Sequence, residues 1–220
     1  MLYKKVIYLV FIRPLEINCV YFYYLIEKLW GVLLQCYWEK KLQINTSYIC
    51  EDKQDGSRFQ DQNLYSALPY PTLFKMLEII KLKADDVLVD LGCGAGRVVI
   101  FAAREGIKEA IGVELRKSQV ESARINLSSP KTCNLPVTII HQDAADYLPY
   151  RGNIFYMLEP FGPDTTKKVL ANIQHSLEQN PRQIKILLYH NKVRLLLDMS
   201  SFLKFKGHLA DTGILLYTNF

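Results

Sequence analysis

The chain has 220 residues, half of them hydrophobic, which suits one α/β domain with a sizeable core plus an extension. Its net charge of +5 is mild and no Lys/Arg-rich block occurs, so an acidic partner is permitted but no DNA partner is expected. The five cysteines, Cys19, Cys36, Cys50, Cys93 and Cys133, form no CxxC and no His-flanked pattern, so they read as reduced thiols in a cytoplasmic setting and no metal site is expected.

Residues 1–60 read as an apolar, aromatic helical extension and linker, and residues 61–220 as the main domain. Leu2 to Ile12 is strongly apolar around Lys4 and Lys5. Leu15 to Trp38 is rich in Tyr, Phe, Leu and Trp but is interrupted by Glu16, Glu27 and Lys28. No run approaches the roughly 18–20 uninterrupted apolar residues of a spanning helix. The first run resembles a signal-peptide core, yet no small-x-small cleavage site follows. Three readings stay open: helices packed on the domain as a lid, an interfacial anchor giving peripheral membrane contact through residues 1–40, or a translation start placed too early. Glu51 to Gln62 is polar, contains Gly56-Ser57, and reads as a linker.

Leu68-Pro-Tyr-Pro-Thr-Leu-Phe-Lys-Met-Leu-Glu-Ile-Ile80 sets two prolines around an aromatic and then continues as an amphipathic helix. The most informative stretch follows. Val87-Leu-Val-Asp-Leu reads as a buried strand, Gly92-Cys-Gly-Ala-Gly96 as a glycine turn, and Gly96 to Arg104 as a helix. A strand that turns through glycines into a helix cradles a nucleotide-like ligand. Here the spacing is Asp90-x-Gly92-x-Gly94-x-Gly96. The dinucleotide fingerprint would put its third glycine one place later, where Arg97 stands, and no Lys-Ser or Lys-Thr follows as in a P-loop. A carboxylate at Asp90 would repel a pyrophosphate and welcome a ligand with a cationic end. S-adenosylmethionine has such an end, with an ammonium group and a nearby sulfonium.

Three further strand ends carry acids. Ala110-Ile-Gly-Val-Glu-Leu115 ends in Glu114, about 20 residues past the glycines, where an acid can accept hydrogen bonds from ribose hydroxyls. Val137-Thr-Ile-Ile-His-Gln-Asp-Ala144 ends in Asp143, and Ile154-Phe-Tyr-Met-Leu-Glu-Pro-Phe-Gly162 in Glu159, next to Pro160 and Phe161. Each has a plainer reading: Asp90 as a helix cap, Glu114 as a solvated strand end, Asp143 as ordinary turn chemistry. Cys93 is either a thiol near the sulfonium or a small residue that fits. His141 lies inside a strand and reads as structural, and His190 at a strand end is a weak candidate on the substrate side.

The remaining elements alternate. Lys117 to Leu127 reads as a helix with Ser118 near its cap, and Asp164 to Leu177 as another opened by Pro163. Ile184 to Tyr189 is a strand and Asn191 to Met199 a short helix. Phe202 to Leu209 and Ile214 to Thr218 flank Ala210-Asp-Thr-Gly213, a hairpin signal.

On these motifs residues 69–220 resemble a class I, Rossmann-like S-adenosylmethionine-dependent methyltransferase. The resemblance implies an α/β fold: a doubly wound, mostly parallel seven-stranded sheet closed by a C-terminal antiparallel hairpin. It implies S-adenosylmethionine as cofactor, held by Asp90, Gly92, Gly94, Gly96, Glu114 and Asp143, the last at the adenine amino group. The fourth strand end then faces the methyl acceptor, with Glu159 and Phe161 positioning it. Amino-directed members often carry Asp/Asn-Pro-Pro-Tyr/Phe there. Glu159-Pro160-Phe161 is one carbon longer and one proline short, which weakens a nucleic-acid adenine reading.

The Pro/Tyr-rich lead-in, Arg97 and the Val-Val-Ile that follows also resemble the protein-lysine methyltransferases of mitochondria and archaea and their bacterial relatives. That implies Tyr70 and Thr72 over the cofactor's methionine end and a nitrogen acceptor, a protein lysine or a small molecule. A plain helix start with an exposed tyrosine is the alternative for Tyr70. An RNA acceptor, a cofactor-binding module without transfer, and a nucleotide-dependent oxidoreductase are the rival functions.

Overall fold

The computed structural model describes residues 19–47, 67–158, 161–189 and 192–220. Seven strands form one sheet: β1 (Val87–Leu91), β2 (Glu109–Glu114), β3 (Val137–His141), β4 (Ile154–Met157), β5 (Lys185–Tyr189), β6 (Lys204–Leu209) and β7 (Ile214–Thr218). Their order is β3-β2-β1-β4-β5-β7-β6. The first five are parallel; β7 runs antiparallel between β5 and β6. The fold class and the C-terminal hairpin are as the sequence implies. The hairpin turns at 210–213, where Asp211 and Gly213 take φ of 59° and 72°.

Helices cover both faces, so the central strands are buried on both sides and read as continuous apolar runs. Alternation sorts their side chains. Leu88, Ile154, Tyr156 and Leu187 join one cluster, under α2 (Tyr70–Ile80) and α3 (Arg97–Arg104). Val89, Leu91, Phe155, Met157, Ile186 and Leu188 join the other, under α5 (Pro163–Gln179) and α6 (Arg194–Asp198). The helix α4 (Lys117–Leu127) lies on the first face, where Ala123 meets Gly96.

Helix α1 (Cys19–Leu42) is held by its C-terminal half. Trp38 packs edge-on to Phe101 at 5.4 Å and against Phe74 at 5.5 Å, and Leu42 and Ile44 enter the first cluster. Asn126 then stitches the chain down. Its amide nitrogen donates to the carbonyls of Asn45 and Ala95, and its oxygen accepts from the Asn45 N–H. Ser129 donates to the Leu42 carbonyl at 2.6 Å. Earlier on α1 the residues Leu25, Leu29, Val32 and Leu33 share one face and are exposed. No helix among the described residues is long and apolar enough to cross a membrane. The expected linker, Glu51 to Gln62, lies outside the described residues.

Two local expectations change. Arg116, not Ser118, is the cap residue of α4 and makes no side-chain cap bond; its own N–H donates to the Glu114 carboxylate. The last helix is Arg194–Asp198, shorter than Asn191 to Met199, with Val193 as its cap and no side-chain cap bond.

Candidate active site

The sheet changes direction between β1 and β4: β2 and β3 lie to one side of β1, β4 and β5 to the other. Open α/β sheets bind ligands at the carboxyl ends of the strands at such a switch point. Asp90 on β1 and Tyr156 on β4 are register partners across it, one residue before each strand ends.

The glycine turn leaves β1 with Gly92, Gly94 and Gly96 at φ of 90°, 52° and 87°. An L side chain at any of them is strained, so the alternate glycines are a backbone requirement of this turn. Gly96 is also the left-handed cap of α3, which has no side-chain cap. Asp90 therefore does not cap the helix. It is 2 % exposed and its Oδ1 has no hydrogen-bond partner. Burial, with the Glu114 charge adding to it, holds its carboxyl well above the usual carboxylate range. A cationic ligand would offset that cost.

Glu114 ends β2 and is buried. Its Oε2 accepts from the Gly94 N–H at 2.9 Å and its Oε1 from the Arg116 N–H at 2.8 Å. It fixes the glycine turn against the start of α4, and each oxygen keeps a lone pair for a ligand hydroxyl. Asp143 follows β3, and its Oδ1 accepts from the Ala145 N–H at 2.8 Å, capping the 3-10 turn Ala144–Asp146. Glu159, Pro160 and His190 lie outside the described residues. Phe161 is buried in the second cluster, together with Val193 and Leu197. His141 is exposed, its Nε2 3.0 Å from the Leu115 carbonyl oxygen.

Cys93 faces β2. A Cβ on Gly112 would meet its Sγ at 2.6 Å. Burial keeps the thiol protonated by raising it well above its ordinary range. This is the small residue that fits.

Tyr70 is buried rather than exposed, with its hydroxyl 3.5 Å from Thr46 Oγ1 and its ring 4.3 Å beneath the Arg97 guanidinium. Burial raises its phenol above the ordinary value. Arg97 is the residue whose weight the sequence reading missed. Its Nε donates to Thr46 Oγ1, Nη1 to the Leu68 carbonyl, and Nη2 to Glu39 and Ser47. A buried arginine set among Val98, Val99 and Ile100 must find partners, and that was the available signal. Tyr156, buried with an unpartnered hydroxyl, was also missed, because a tyrosine in a strand reads as core.

Residues 53–134 match the family model described as histone methylation protein DOT1. A protein-lysine N-methyltransferase of Saccharolobus islandicus is 41% identical over 64 residues, 29% of this chain and 40% of that protein. The uncharacterized protein MJ0284 of Methanocaldococcus jannaschii is 36% identical over 62 residues, 28% of this chain and 27% of that one. The matched segments thus span less than half the length of these relatives.

Among solved structures, an RNA methyltransferase of Salinibacter ruber in complex with S-adenosyl-L-homocysteine superposes with a TM-score of 0.53 at 24% identity, covering 70% of this chain and 92% of that one. PH1948 of Pyrococcus horikoshii superposes at 0.54 and 18% identity, covering 82% and 96%. The fold is the class I, Rossmann-like fold of S-adenosylmethionine-dependent methyltransferases.

Proposed function

We propose that the chain is a class I S-adenosylmethionine-dependent methyltransferase that acts on a nitrogen, with a protein lysine as the acceptor class. The observation that carries the cofactor is Asp90: a buried carboxylate without a partner for Oδ1, beside a turn of left-handed glycines at the switch point. A ligand with an ammonium group supplies what that atom lacks. Glu114, already bound to Gly94, offers its remaining lone pairs to ribose hydroxyls. Asp143 is proposed for the adenine end.

A dinucleotide fits this turn badly. Asp90 would oppose its phosphates, and Arg97, the nearest cation on α3, is turned away onto Leu68, Thr46 and Glu39. When bound, the cofactor supplies a methyl carbon activated by a sulfonium. The protein's task is then alignment and exclusion of water. Glu159 and Phe161 are proposed to position the acceptor nitrogen, Glu159 by accepting its proton-bearing hydrogen bond. Tyr70 supports the methionine end from behind, by carrying Arg97 on its ring.

The lysine assignment is supported by the DOT1 match over residues 53–134 and by the Saccharolobus relative. Its test is transfer from a labelled methyl donor into a cell extract separated into protein, RNA and small-molecule fractions. Label in protein, recovered as methyl-lysine after hydrolysis, is the expected result. Label confined to RNA or to small molecules would overturn the acceptor class. Cofactor binding with no label in any fraction would favour a binding module of the same fold.

A second reading concerns place. The exposed apolar face of α1, with Leu25, Leu29, Val32 and Leu33, favours peripheral contact with a membrane surface. Co-sedimentation with anionic vesicles tests it; a protein that stays in the supernatant at low salt would contradict it.

A further inference from the structure

Tyr156 lies within β4 opposite Asp90, so alternation puts both side chains on the face covered by α2 and α3. Its side chain is 1% exposed, among Leu88, Ile154 and Leu187. Its hydroxyl has no hydrogen-bond partner. Phenylalanine would fill the same space without stranding a polar atom. A buried unsatisfied hydroxyl is a standing cost to the free protein and calls for an explanation.

The Asp90 Oδ1 is stranded likewise, and no hydrogen bond joins it to the Tyr156 hydroxyl. Two unsatisfied polar atoms therefore flank the switch point, one on each strand. One is an acceptor. The other belongs to a hydroxyl that burial keeps protonated, so it can donate. The amino-acid end of S-adenosylmethionine carries the complementary pair on a single carbon: an ammonium that donates and a carboxylate that accepts.

We propose that Tyr156 is a cofactor-binding residue, its hydroxyl donating to the α-carboxylate of the ligand while Asp90 accepts from the α-ammonium. The assignment rests on the methyltransferase reading above and adds to it the residue that recognises the carboxylate. It explains why a tyrosine stands where the packing asks only for a phenylalanine.

The test is Tyr156→Phe, titrated calorimetrically with two probes. S-adenosylhomocysteine carries the amino-acid end; methylthioadenosine lacks it. Loss of a hydrogen bond to a charged group predicts a 10- to 100-fold weaker affinity for the first, roughly the loss typical of charge-assisted bonds. Affinity for methylthioadenosine should not change. The melting temperature of the ligand-free variant should equal or exceed that of the wild type, because the stranded hydroxyl is gone. A purely structural tyrosine gives another pattern: lower melting temperature, and equal losses for both probes.

Unchanged affinity for S-adenosylhomocysteine in the variant would overturn the assignment while leaving the methyltransferase reading intact. A folded wild type that binds S-adenosylhomocysteine, with both ligands weakened equally in the variant, would also overturn it. A folded wild type that binds neither probe would overturn both.

Discussion

Arg97 and Asp90 are both buried ionisable groups, and the fold treats them in opposite ways. Arg97 has a partner for each of its three nitrogens, an ion pair with Glu39 at 3.3 Å and an aromatic ring beneath it. Removing it leaves Glu39 without its cation, though still bonded to Thr46 and Ser47, and the Leu68 carbonyl without its side-chain donor. Arg97→Ala should therefore cost about 3 kcal/mol in urea denaturation, and Arg97→Lys should recover little, because an ammonium cannot reproduce the fork. A cost below about 1 kcal/mol would show that the network is not coupled to folding.

Asp90 has no such compensation. Its carboxyl titrates higher in the folded chain than in the unfolded one, so the folded state holds the extra proton. The Asp90 contribution to the stability of the ligand-free protein is full below the unfolded value of about 4 and is lost as pH rises through the folded value. Asp90→Asn should flatten that decline, as read by melting temperature between pH 4 and 8. Affinity for a cationic ligand should run the other way and rise with pH over the same window. A decline of equal slope in the variant would assign it to other groups.

At the scale of elements, the regular parts were the readable ones. Helix α4 (Lys117–Leu127) and strand β7 (Ile214–Thr218) coincide with their expected bounds, because periodicity and turn residues agree there. The cap of α4 differs from its expected chemistry: Arg116 holds the cap position without a side-chain cap bond, and its own N–H donates to Glu114 at the end of the preceding strand. The strand-end placing of Asp90, Glu114 and Asp143 was legible because each comes at the close of an apolar run. The network behind the glycine turn was not, since Arg97 reaches Thr46 and Glu39 across 51 and 58 positions, and no local pattern encodes such a pairing.

Gly112 shows a similar long reach. An added methyl would meet Cys93 Sγ at 2.6 Å and Ile139 Cδ1 at 2.9 Å, so Gly112→Ala should cost about 1–3 kcal/mol. Adding Cys93→Ala should return part of that loss; an additive double variant would contradict the contact. Helix α1 divides in two by the same measure. Trp38→Ala should cost about 2–4 kcal/mol through its contacts with Phe74 and Phe101, whereas Leu29→Ser on the exposed face should stay within about 0.5 kcal/mol.

Across the whole molecule, the C-terminal half of α1, the glycine turn and the first turn of α3 form one mechanical unit. Asn126 joins Asn45 to Ala95, and Arg97 joins Glu39 and Thr46 to the start of α3. The cradle is thereby braced from outside, while its inner wall carries unpartnered atoms on Asp90 and Tyr156. Satisfied polar groups behind a site and unsatisfied ones inside it are what a preorganised binding pocket requires.

The most direct measurement is calorimetric titration of the purified protein with S-adenosylmethionine and S-adenosylhomocysteine, beside Asp90→Asn and Glu114→Ala. Micromolar binding by the wild type and its loss in both folded variants is the predicted result. A well-folded wild type that takes up neither compound would contradict it, and would leave a Rossmann-like scaffold whose buried acids serve another ligand.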